Sequence, residues 1–186
     1  MGLENLVCAE QPVIRTARLV LRPLVPSDDA LLALYTSDKR VAVGTRSIPH
    51  PLPPGATEQF IARATAPDRR EDVWAMDGTI GGADALVGVV SLKPLERRQS
   101  QIGFWVAPTA WNAGFASEAV RAIIASNPHN SRTLFAEVFQ DNPASAQVLM
   151  NAGFDYLGEA EAYSLARRAT VPTWTYIRRM VQSVAS

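Results

Sequence analysis

The chain of 186 residues has one cysteine, two histidines and no charge of one sign in excess, with 18 Lys and Arg against 18 Asp and Glu. A single cysteine, Cys8, forms neither an internal disulfide nor a thiolate metal site, so nothing points to an oxidising compartment. Proteins that live on nucleic-acid phosphates carry a basic excess, and none is present, so a nucleic-acid partner is not expected. No apolar run approaches the ~20 residues needed to cross a bilayer, and no membrane partner is expected either. The opening MGLENLVCAEQ has neither a charged start nor a long apolar stretch and does not read as a secretory signal. There is no G-x-G-x-x-G and no Gly-Lys-Ser/Thr, which disfavours a Rossmann dehydrogenase or a nucleoside triphosphatase. Repeats and low-complexity tracts are missing too. The expected location is the cytoplasm.

What remains is a chain that is 47% hydrophobic and 19% charged, a balance that excludes disorder and suits one globular domain. Residues 1–13 read as an irregular arm and 14–186 as the domain. Residues 17–24 (ARLVLRPL) alternate as a strand, stopped by Pro23. Ser27-Asp28-Asp29 offers a helix start with two carboxylates at the positive end of the dipole. Four prolines in residues 44–55 make a rigid loop containing His50. A helix over 56–66 follows, then strands over 73–80, 85–92 and 100–106 at hairpin spacing. Ala116, Ala119, Val120, Ile123 and Ile124 form a core-facing helical stripe ended by Asn127-Pro128. A strand over 133–140 precedes a second short helix, opened by Asn142-Pro143 and stopped by Gly153. Strands over 154–162 and 171–180 close the chain. This order predicts a mixed α/β (α+β) domain on one largely antiparallel sheet flanked by helices.

Two segments carry candidate chemistry. Trp111-Asn112-Ala113-Gly114-Phe115-Ala116-Ser117 lies between the strand ending at Val106 and the strongest helix. Small residues let a ligand reach the backbone, and the free N–H groups of a helix start form an anion site that fits a pyrophosphate. An ordinary strand-to-helix turn has the same composition. In the second segment, Asn142 and Ser145 sit on one side of a first helical turn. Capping accounts for Asn142 and leaves Ser145 less well explained.

These segments, W-N-A-G-F-A-S-E-A (111–119) and N-P-A-S-A-Q-V-L-M-N-A-G-F (142–154), resemble the GNAT superfamily of N-acetyltransferases. More narrowly, they are similar to the branch holding ribosomal-protein N-terminal acetyltransferases, with its W-G-K-G-Y-A-T-E-A and N-x-x-S…G-F. I-R-T-A-R-L-V-L-R-P-L (14–24) and I-G-F-W-V (102–106) match that branch's first and fourth strands, so the likeness runs from about 14 to 180. The resemblance implies direct transfer of acetyl from acetyl-CoA to a primary amine, without a covalent intermediate or a metal. It places the pantetheine arm beside Phe104, Trp105 and Val106, and the pyrophosphate on the amides of Trp111, Asn112, Ala113, Gly114, Phe115, Ala116 and Ser117. An amide near Val106 faces the thioester oxygen; such donors contribute ~2.7–4 kcal/mol each. The same resemblance implies that Asn142 contacts the cofactor arm or orders local water, and that Ser145 donates a proton, directly or through water, to the leaving thiolate.

The chain departs from the branch pattern at Asn112 and Ala113, where a glycine and a basic residue are usual. It departs again at Gln101, where a carboxylate is common and able to deprotonate the acceptor. Glu137 is the substitute base, its alternative being a solvated strand position; His50 is a second titratable group. A protein N-terminal amine is the expected acceptor, with a small-molecule amine as the alternative. Gln101 also keeps open a non-catalytic acyl-CoA-binding module. The four tryptophans read as core or cleft walls. Arg167-Arg168 and Arg178-Arg179 read as solvated strand-end charge, the alternative being contact with the ribose phosphate of coenzyme A or an acidic partner. His129 lies in a polar turn with no metal-ligand partner, so a metal site is not expected there. Monomer and homodimer both remain open.

Overall fold

Leu19 and Leu21 bury completely while Arg15 stays out, and the opening segment resolves into a hairpin rather than one strand: β1 (Ile14–Arg15) and β2 (Val20–Pro23). Thr16 makes the turn, exchanging its backbone N–H and hydroxyl with Leu19. These features come from a computed structural model, which describes residues 10–181. Most of the expected arm, residues 1–9, lies outside the described residues. Residues 12 and 11 are tied down, Pro12 accepting from the Trp74 indole and Gln11 donating to the Val73 carbonyl, each at 2.8 Å.

Helices α1 (Asp29–Thr36), α2 (Lys39–Ala42) and α3 (Ala56–Thr65) precede β3 (Asp72–Asp77), β4 (Gly88–Leu95) and β5 (Gln99–Val106). Then come α4 (Phe115–Ser126), β6 (Thr133–Phe139), α5 (Pro143–Asn151), β7 (Asp155–Ser164) and β8 (Ala169–Arg179). The eight strands form one mixed sheet in the order β1-β2-β3-β4-β5-β6-β8-β7, antiparallel except for β5 against β6. Alternation sends side chains to two cores. One packs Leu21, Met76, Ile102, Leu134 and Tyr176 against Phe115, Ala119, Val120 and Ile123 of α4 and Leu149 of α5. The other packs Val73, Ala75 and Val89 against Leu32 and Tyr35 of α1 and Ile61 of α3.

Asp28 stands at the helix start as expected, its side chain capping the Val25 N–H, but it is also buried and receives both terminal nitrogens of Arg22 at 2.9 Å. The α4 stripe is led by Phe115, with Ala116 only half-buried. The short α2 has no counterpart in the sequence reading, because Asp38 starts it by accepting the Arg40 N–H and four residues are too few for a period to show. The turn residue His129 is tied into the fold: its ring bonds buried Asp72 at 2.8 Å and Ser100 at 3.2 Å, beneath the start of β5. Burial pushes the Asp72 carboxyl up, yet hydrogen bonds from His129 and Arg69 outweigh it and hold the group below its ordinary value.

Candidate active site

β5 and β6 run side by side only from Gln99/Thr133 to Gln101/Phe135. Beyond that point β5 stays with β4 as far as Val106, while β6 stays with β8 as far as Phe139. The sheet therefore opens into a wedge with Ile102–Val106 on one bank. Phe104 and Val106 face the α4 core, and Trp105 faces the α1–α3 core. The Val106 carbonyl accepts the Trp111 indole N–H at 2.8 Å, which folds the next loop back over the end of β5.

That loop ends at α4. Asn112 (φ 59°) and Gly114 (φ 81°) both lie in the left-handed region. Two such residues one apart curl the backbone so that its N–H groups converge, and the unpaired N–H groups of the helix start continue the series. Ala113 and Gly114 are exposed, Ser117 is half-buried, and Phe115 is the core anchor. Neutral backbone donors backed by the α4 dipole fit a diphosphate; a gap at the strand edge fits an extended arm.

The rear of the loop is moored. Glu118 accepts from the Thr16 hydroxyl (2.6 Å), the Arg18 N–H (2.8 Å) and Arg18 Nε (2.8 Å). Burial raises the Glu118 carboxyl, but these bonds prevail and keep it below its ordinary value. Arg18 Nη1 donates to the Ala113 carbonyl at 2.7 Å, and its guanidinium lies 4.6 Å from the centre of the Phe115 ring. Sequence reasoning missed this cluster; a charged pair 100 positions apart leaves no local signal.

On the opposite bank Asn142 caps α5, its Oδ1 accepting the Ser145 N–H at 3.3 Å, and Ser145 is half-buried at the third helical position. Glu137 on β6 is not a solvated strand residue. Its side chain is 18% exposed, Oε1 is buried with no hydrogen-bond partner among the described residues, and Oε2 lies 3.5 Å from Arg46. Arg46 belongs to a strap leading out of α2. Arg40 lies 5.4 Å over the Trp111 ring, so the strap touches the β5 bank. Arg46 and the Val43 carbonyl meet the β6 side. Arg167 fixes this end, donating to Val43 O at 2.7 and 3.0 Å and to Asp141 at 2.9 Å. It is thus a tether rather than solvated charge. Arg178 likewise binds the Gly153 carbonyl at 3.2 Å. His50 Nδ1 and Thr173 Oγ1 are two further buried atoms without partners among the described residues. A separate apolar groove, lined by Met150, Tyr156, Trp174 and Tyr176, lies between α5 and the β7–β8 pair. No group of three His, Cys, Asp or Glu able to hold a metal occurs among the described residues. None of their helices is long and apolar enough to cross a membrane.

Residues 18–155 match the family model described as an acetyltransferase (GNAT) domain. The chain belongs to the GNAT acetyltransferases. The family's acetyl donor is acetyl-CoA, so this GNAT protein is an acetyl-CoA-dependent acetyltransferase. A curated relative, an uncharacterized N-acetyltransferase YoaA of Bacillus subtilis (strain 168), is 26% identical over 163 residues, spanning 82% of this chain and 88% of the relative. Among solved structures, the microcin C7 self-immunity acetyltransferase MccE, in complex with acetyl-CoA and AMP, superposes with a TM-score of 0.76. It is 13% identical and covers 89% of this chain and 94% of its own. A ribosomal-protein-S5-alanine acetyltransferase from Vibrio fischeri gives 0.72 at 18% identity, covering 91% and 97%. At such identities these structures bear on the fold alone.

Proposed function

We propose that this GNAT domain, placed at residues 14–186, transfers acetyl to a primary amine within the wedge between β5 and β6. The observation that carries this reading is the parting of the two strands after Gln101 and Phe135, with a loop holding two left-handed residues, Asn112 and Gly114, between the end of β5 and α4. The amides of Asn112–Ser117 hold the diphosphate, and the backbone of Phe104, Trp105 and Val106 lines the arm. An amide near Val106 receives the developing oxyanion charge, where pre-aimed donors act most strongly. Acetyl-CoA supplies the activated acyl group when bound. Ser145 passes a proton to the departing thiolate. Glu137, whose Oε1 is uncommitted, takes the proton from the acceptor ammonium in place of the carboxylate that Gln101 lacks.

The acceptor favoured by the branch motifs is a protein N-terminal amine, and the work is done in the cytoplasm. A small-molecule amine is the second reading, favoured by the strap of residues 40–46 that touches both banks of the wedge. Incubation with labelled acetyl-CoA and a panel of peptides, polyamines and amino acids tests both. Thiol release with peptides alone supports the first reading, and release with small amines alone supports the second. Tight CoA binding without thiol release under any amine contradicts transfer and leaves a binding module.

A further inference from the structure

We propose that Arg18 is a positioning residue for the cosubstrate's diphosphate: by holding the Ala113 carbonyl from behind, it aims the Gly114 N–H into the site. This inference rests on the diphosphate site proposed above. A trans peptide is planar, with its C=O and N–H pointing in opposite directions. The Ala113–Gly114 unit has its carbonyl fixed toward Arg18 Nη1 at 2.7 Å, so its N–H faces away from Arg18. The same guanidinium grips Glu118 in the first turns of α4 through Nε at 2.8 Å. One rigid fork therefore sets the loop and the helix start relative to each other. Its other supports keep it still: the Phe115 ring beneath, and the Thr16 hydroxyl on the other oxygen of Glu118, Oε1. Arg18 Nη2 stands 3.3 Å from the place a β-carbon on Gly114 would occupy, so the fork also fills the space behind that residue.

The arrangement matters more in this chain than in one with a basic loop residue. With Ala113 at that position no loop side chain adds charge, and binding depends on how accurately the amides point. Arg18 is itself ion-paired to Glu118, so it acts through geometry and not through net charge.

The test is calorimetric CoA binding to Arg18→Ala and Arg18→Lys, with melting temperature as the control for folding. Both variants are expected to lose affinity by about tenfold or more, because alanine removes the bond to the Ala113 carbonyl and lysine lacks the two-point fork. The KM for acetyl-pantetheine, a donor without the diphosphate, is expected to stay unchanged in both. Arg18→Lys retaining full affinity would show that charge alone suffices and overturn the proposal. An equal loss for acetyl-pantetheine would show general damage and overturn it too. If Arg18→Ala does not fold, Arg18→Lys, which keeps a cation for Glu118, carries the same comparison. Failure of the unaltered protein to transfer acetyl would refute the proposed function, whereas the CoA affinities would still decide the role of Arg18.

Discussion

The two banks of the wedge are built in opposite ways. On the β5 side the groups behind the loop are held by fixed partners: Arg18, Thr16 and Glu118 bond one another, the Ala113 carbonyl is held, and the Trp111 indole closes on Val106. On the β6 side Glu137 meets Arg46 only at 3.5 Å, and Glu137 Oε1 and, on neighbouring β8, Thr173 Oγ1 are buried without partners among the described residues. A buried unpaired polar atom is costly, and such atoms survive where a ligand supplies the missing bond. The β5 bank is held by fixed pairs, whereas the β6 bank keeps Glu137 Oε1 and Thr173 Oγ1 uncommitted.

Four substitutions and one titration break or sharpen that contrast. The largest effect is expected from Ser145→Ala, which lowers kcat by about a hundredfold and leaves CoA affinity intact, as removal of a proton donor does. Steady-state kinetics beside calorimetry checks it, and unchanged turnover removes Ser145 from that role. Gly114→Val comes next. A β-branched residue at φ 81° meets a local cost of roughly 1–2 kcal/mol and presses on Arg18. CoA affinity is expected to fall by more than the corresponding loss of unfolding free energy; equal losses would deny the loop its anion-holding role. Arg167→Ala frees the strap and should raise the acceptor KM about fivefold, with CoA affinity unchanged.

The titration concerns Asp72 and Glu118, whose carboxyls are both held below their ordinary values in the folded protein. Such groups add stability above their unfolded pKa, and the gain is lost as pH falls through the folded value. The melting temperature should therefore drop as pH falls through and below the ordinary carboxyl range near 3.8–4.5, and Asp72→Asn should flatten that slope. Differential scanning calorimetry from pH 3 to pH 7 checks it. The smallest effect is expected from Arg46→Ala. Its long, exposed ion pair contributes less than about 0.5 kcal/mol, measurable by urea unfolding.

The sheet, α4 and α5 were legible because each carries a period or a punctuation mark: Leu19 and Leu21 alternate, Val120 and Ile123 recur on one helix face, and Asn142-Pro143 starts α5. The turn into α4 was legible through Gly114 and its neighbours. The boundaries were less so. The sequence places a strand over 85–92, whereas β4 begins at Gly88, because Leu86 and Val87, though buried, lie in the bend that leads into it. What escaped altogether was long-range polar pairing. Arg18–Glu118, Asp72–His129 and Arg167–Val43 join distant positions, and no spacing rule foretells such pairs. Solvated charge was the general expectation for Arg167, and tertiary contacts overrode it.

The central claim, that CoA lies along the end of β5 with its diphosphate on the loop before α4, is tested most directly by following backbone amide resonances during a CoA titration. The account predicts the largest shifts at Gly103–Val106 and Asn112–Ser117. Unmoved resonances there, with shifts gathered instead at Met150, Tyr156 and Trp174 around the apolar groove, would contradict it.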